Sequence, residues 1–229
     1  MKRIILSITA LFYLSTGLAQ ETVIRKHRLT DEITEKISVL KSDKATRQGL
    51  YQAVNEKNIA IASGNFENDK KAGVWHYYNP KGHLLQNYDY TNKKLLFEAP
   101  EDTTSSLRYF VDKQLTDTDR TTKPVKAGGR YFGYLPYLSV FKLPKDLENI
   151  NRMVSYAVVE LLVSPGGRLA DFKVHIFSGE SYHRVFNMST NMPNEEDKVF
   201  TPATLNGEPI GCRIMIRCWI DNYGGIMMP

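Results

Sequence analysis

Chemistry in this 229-residue chain would have to run through a few residues: His76, His83, His175, His183, Ser178 and two cysteines. His175 and His183 flank a predicted strand and the segment after it, and His76 and His83 flank a turn, so either pair could approach a metal ion. No cysteine or carboxylate cluster completes the usual ligand set beside them, and they read as solvated side chains. Ser178, Glu180 and His183 are the residue types of a hydrolytic triad. All three fall within six residues, a spacing that keeps nucleophile, base and orienting acid from reaching their separate positions. The chain has no Gly-x-Ser-x-Gly, no His-Glu-x-x-His and no phosphate-binding glycine loop. The reading is a non-enzyme with no catalytic residue, no metal ligand and no cofactor.

Cys212 and Cys218 lie six residues apart in one predicted strand. At about 3.3 Å per residue they stand roughly 20 Å apart, whereas a disulfide needs Cα atoms within about 7 Å. They read as small buried hydrophobes. That strand, Ile210 to Ile220, alternates cleanly: Cys212, Ile214, Ile216, Cys218 and Ile220 make an apolar face that should pack on helices. Arg213, Met215, Arg217 and Trp219 make the other face and are candidate partner-binding residues. Trp75 and Tyr77 are candidates too, from an aromatic segment in which strand alternation turns half the rings toward a core.

The elements that must position these residues fall into two groups. Toward the C-terminus, Leu143-Pro144 looks like a helix start. Met153 to Val163 reads as a buried strand, Ser164-Pro165-Gly166-Gly167 as a turn, and Leu169 to Phe177 as a second strand paired to the first. Glu180 to Met192 is compatible with a short helix, and Asn206-Gly207 is a turn before the last strand. Toward the N-terminus a repeat of 24 residues stands out: Gly49-Leu50-Tyr51 matches Gly73-Val74-Trp75, Asn55 matches Asn79, Lys57-Asn58 matches Lys81-Gly82, and Phe66 matches Tyr90. Each unit reads as a β-hairpin, and stacked hairpins bury the aromatic face that one alone cannot. Residues 20–43 are polar, a short lead-in strand or loop. Residues 99–127 form a polar linker region, in which Leu107 to Leu115 is a short helix or strand tying the two groups together.

Lys2 and Arg3, the apolar stretch Ile4 to Leu18 and Gly17-Leu18-Ala19 make a signal-peptide pattern with cleavage near Ala19. The apolar stretch, about 15 residues, is short of the roughly 20 that span a bilayer. The expected location is the periplasm or the exterior, with membrane association only through an uncleaved N-terminus. The formal charge is +5, or +3 once Lys2 and Arg3 are removed, which gives no argument for nucleic acid.

Two resemblances follow from these motifs. Gly64-x-Phe66, then Gly73-Val74-Trp75-x-Tyr77-Tyr78, resembles the MORN-like repeats of exported bacterial proteins, including YwqK-type antitoxins, over residues 36–98. Gly128-Gly129, Leu143-Pro144, Val154 to Val163, Gly166-Gly167, Val174 to Gly179, Phe200-Thr201-Pro202-Ala203 and Asn206-Gly207-Glu208-Pro209 stand in the order and spacing that resembles the TonB C-terminal domain, over residues 128–222. The resemblances imply an α+β protein: a signal peptide (1–19), MORN-like β-hairpin repeats (20–98), a linker (99–127) and a small β-β-α-β domain with a preceding helix (128–229). They imply binding of a protein or peptide partner, such as an outer-membrane receptor, by strand addition to the edge of the last strand. The chain has no Pro-rich spacer, and its apolar segment reads as cleavable. A membrane-anchored energy transducer, or a repeat protein that neutralises a partner, are therefore the alternatives.

Overall fold

The computed structural model describes residues 21–229, so the signal-peptide assignment of residues 1–19 lies outside the described residues. Among these residues the fold is largely antiparallel β-sheet with one short α-helix. The first sheet is a seven-stranded meander in chain order: β1 (Thr22–Arg28), β2 (Ile33–Leu40), β3 (Arg47–Asn55), β4 (Ala60–Glu67), β5 (Lys70–Tyr78), β6 (Leu84–Asp89) and β7 (Lys94–Glu98). The polar stretch after residue 20 is therefore two full strands rather than a lead-in. Residues Ile33, Ile37 and Val39 supply its buried face, at the period of two that a half-buried strand needs.

The 24-residue repeat is visible atom by atom in the turns. Asn55 Oδ1 accepts the backbone N–H of Lys57 and Ile59, and Asn79 Oδ1 accepts those of Lys81 and His83. Asn58 and Gly82 both take the left-handed conformation that closes each turn, with φ of 56° and 84°. Between the turns the inward rings of Tyr51, Phe66, Trp75 and Tyr77 pack edge to face, tilted or stacked, at 5.1–6.2 Å between neighbours. Gly64 lies under the Trp75 indole, where a Cβ would come within 2.2 Å of the ring.

The second sheet is built from β8 (Leu107–Phe110), then, after the helix α1 (Leu135–Ser139), β9 (Ser155–Val163), β10 (Leu169–Ser178), β11 (Tyr182–Asn187), β14 (Cys212–Ile220) and β15 (Ile226–Met227), with a separate hairpin of β12 (Ala203–Leu205) and β13 (Glu208–Ile210). The strands run β11-β10-β9-β14, and β8 and β15 share the far side of β14.

Three sequence expectations are corrected here. Leu143-Pro144 leads only into a 3-10 turn, Lys145–Leu147, and the one α-helix among the described residues lies earlier, with Pro136 in its first turn. The segment expected as a helix, Glu180 to Met192, contains β11. Gly179, at φ 59°, turns the chain back, and pairing with β10 satisfies backbone groups that a short exposed helix would leave to solvent. Residues 99–127 are more than a linker: Leu107–Phe110 pairs with β14, and Thr121 and Val125 bridge to Leu205 and Thr201.

Both sheets contribute to one hydrophobic core. The seam between them is organised by Gln86 of β6, fully buried. Its Oε1 accepts the N–H groups of Gly128 and Gly129 at 3.0 Å each, and its Nε2 donates to the Lys126 carbonyl at 3.0 Å. Gly129 is at φ 70° with its Cα against Tyr77, where a Cβ would lie 3.2 Å from the Tyr77 Cβ, and Phe132 stacks on the Tyr77 ring at 5.6 Å.

Candidate binding surface

The alternation of β14 is as the sequence reads. Cys212, Ile214, Ile216, Cys218 and Ile220 are buried, and Arg213, Met215, Arg217 and Trp219 are turned to the opposite face, with Trp219 51% exposed. Both cysteines are free thiols, and burial pushes Cys212 up to about 11 and Cys218 up to about 12.

On the outer face two rows of side chains cross the strands. In one, His183 of β11 stacks on Phe177 of β10 at 4.3 Å, Phe177 stacks on Tyr156 of β9 at 5.0 Å, and the Arg217 guanidinium of β14 lies 4.6 Å above the Tyr156 ring. Trp219 stands beside this row, so the row ends in a cation and an exposed indole. In the other row Arg213 binds Glu160 of β9 and Asp112, and Glu160 meets His175 of β10. Arg213 holds the Asp112 carboxyl below its ordinary value. Ser178 is bonded to Ser155 rather than to His183, whose ring instead meets His175.

The expected docking edge is not free. Residues Arg213–Ile216 of β14 are paired with β8, and Trp219 and Ile220 with β15. On the other side of the sheet β11 pairs with β10 alone. The Met188 N–H donates to the Phe172 carbonyl, which sets the phase of that ladder: Phe186, Arg184 and Tyr182 bond to β10, while His183, Val185 and Asn187 turn their N–H and C=O outward.

Trp75 and Tyr77 do not reach a surface. Both are fully buried, the Trp75 Nε1–H donates to the Asn65 carbonyl at 3.1 Å, and the Tyr77 hydroxyl bonds to that of Tyr90 at 2.8 Å. Beside them a cleft of about 600 Å³ opens between the first sheet and the 192–197 segment, with Tyr51 and Phe66 in its floor and Lys71 bound to Glu196 across it.

Sequence reasoning missed Gln86, Glu160 and Lys126. The repeat held a signal for the first: 24 residues before Gln86 stands Ala62, an inward, fully buried position, so a polar residue there needs a buried partner. Lys126 is buried, its Nζ bonded to the carbonyls of Glu196 and Val199, and burial lowers it to about 8. No local pattern marks either residue: Lys126 meets the carbonyls of Glu196 and Val199, 70 and 73 residues on, and Glu160, besides His175 on the neighbouring strand, meets Arg213, 53 residues on.

No protein-family model, curated protein or solved structure matches the chain.

Proposed function

We propose that this is an exported, non-enzymatic protein-binding module of the bacterial envelope, which takes an extended segment of a protein partner onto the outer edge of β11. The observation that carries the reading is that edge. It offers the backbone groups of three alternate residues, next to a stacked row of His183, Phe177, Tyr156 and Arg217 that can contact a partner's side chains. The TonB-like order of motifs supports strand addition as the mode of binding, with the receiving edge moved from β14 to β11 because β8 and β15 cover β14. Arg217 and Trp219 lie three strands, about 14 Å, from β11, and only a partner that also covers the outer face of the sheet would reach them, whereas Arg213 is engaged by Glu160 and Asp112.

Val185→Pro tests the edge, since proline removes an outward N–H and leaves the β10 ladder intact. Peptides derived from outer-membrane receptors, titrated into the protein, should slow hydrogen exchange at His183, Val185 and Asn187. The proline variant should lose that binding at least tenfold while melting near the parent. Protection appearing elsewhere, or binding indifferent to Val185→Pro, would overturn the assignment. N-terminal sequencing of the native protein checks export separately: Gln20 as first residue supports it, and an intact Met1 in the inner membrane favours the anchored transducer.

A further inference from the structure

Five side chains from successive strands of the second sheet join in a line across its outer face. Asp112, just past β8, accepts two bonds from Arg213 of β14 at 3.2 and 3.1 Å. Arg213 Nη1 donates to Glu160 Oε1 of β9 at 2.8 Å, and Glu160 Oε2 lies 2.8 Å from His175 Nε2 of β10. His175 Nδ1 in turn lies 3.0 Å from His183 Nε2 of β11, with the two rings parallel to within 6°.

The order of the line determines where the protons are. Glu160 is buried and bound to a guanidinium, so it is a carboxylate and only accepts. His175 must then carry a proton on Nε2, and the neutral ring has its lone pair on Nδ1, directed at β11. A histidine whose far N–H is tied to a carboxylate, with its near nitrogen bare, is arranged as metal-ligating histidines are: the carboxylate fixes the tautomer and the ring angle and makes the near nitrogen more basic. The second imidazole is already at hand. Two nitrogens about 2.0–2.1 Å from a shared metal ion lie roughly 2.9 Å apart at a right angle and roughly 3.3 Å apart at the tetrahedral angle. The observed 3.0 Å is nearer the first.

We propose that His175 Nδ1 and His183 Nε2 form a two-imidazole site for a borderline divalent transition ion, Cu²⁺ before others, with the ion displacing the proton now shared by the two rings. Right-angled nitrogen ligands suit the tetragonal preference of Cu²⁺, and affinity should follow the order Cu²⁺ above Ni²⁺ above Co²⁺. Among the described residues no group of three His, Cys, Asp or Glu converges, so water fills the remaining positions. His183 is exposed on an edge strand, and the ion enters without opening the core. The site does not rest on strand addition, since the ion is titrated with no peptide present.

The test is titration of Cu²⁺, Ni²⁺ and Co²⁺ into the full chain without a polyhistidine tag, followed by calorimetry and, for Cu²⁺, by electron paramagnetic resonance. One ion per chain with two nitrogens in the copper plane is expected. His183→Gln should weaken binding at least tenfold, and Glu160→Gln, which keeps both imidazoles, by about 10- to 100-fold. Should Glu160→Gln fail to fold, the exposed His183→Gln decides alone. Unchanged copper binding in that variant, a single-nitrogen spectrum, or no binding up to millimolar ion would overturn the proposal.

Discussion

Alanine at Gly64 and alanine at Gly73 separate two reasons for a glycine. At Gly64 the new Cβ would lie 2.2 Å from the Trp75 ring, and Trp75 is fully buried with Tyr51, Phe66 and Tyr77 around it, so the ring cannot withdraw. Gly73 has φ 62° and open space about its Cα, so alanine there meets only the left-handed strain. Urea denaturation should show Gly64→Ala losing about 3 kcal/mol or more and Gly73→Ala about 1 kcal/mol. Equal losses would mean that the indole gives way to the new methyl, since Gly64 is not in the left-handed region and carries no such strain. Gln86→Leu should also cost about 2–3 kcal/mol, because it leaves the Gly128 N–H buried without a partner and the Gly129 N–H and Lys126 carbonyl with only their 3.3 Å bond to each other.

At the scale of elements, the covering of β14 by β8 depends on Leu107, which is 4% exposed. Leu107→Ala should lower stability by about 2–4 kcal/mol. It should also speed hydrogen exchange at the β14 amides that face β8, while those that face β9 stay slow. This strand shows where the sequence stops being informative. The hairpin of β9 and β10, the faces of β14 and the 24-residue repeat all come from local patterns, period two or matched turns, and the chain displays them openly. β8 is four residues whose pairing is decided by a strand more than 100 positions later, as in Arg213 with Phe110, so nothing near Leu107 announces it. β11 was hidden differently: Tyr182 to Asn187 has no strict apolar alternation, and it is a strand because the edge of β10 was open to it. The candidate face was half legible. The parity of Arg213, Met215, Arg217 and Trp219 could be read off, but their partners Glu160, Tyr156 and Asp112 could not, being brought in by register.

For the whole molecule, the buried ionisable groups set the response to alkali. Folding holds the protons of Cys212 and Cys218 up to about 11 and 12, whereas the unfolded chain releases them near 9, so stability falls as pH rises above 9. Lys126 acts in the opposite sense. Its folded value of about 8 lies below the ordinary 10.5, the unfolded chain holds the extra proton between the two, and stability rises over that interval. Each group contributes a slope of about 1.4 kcal/mol per pH unit at most. Stability should therefore climb from pH 8 to a maximum near 9 and then decline, as two thiols outweigh one amine. Thermal melts across pH 7–11 check this, with Lys126→Met removing the climb and Cys212→Ala/Cys218→Ala removing the first part of the decline. The seam at Gln86, Gly128 and Gly129 has one more consequence. The irregular, exposed stretch from Lys113 to Thr118 is the only covalent tie between a half that ends in β8 and a half that begins before α1. Cut there, each half keeps the surface that recognises the other, so two separately synthesised polypeptides should find one another and regenerate the fold, a split protein ready to be divided between two fusion partners as a reporter of their proximity.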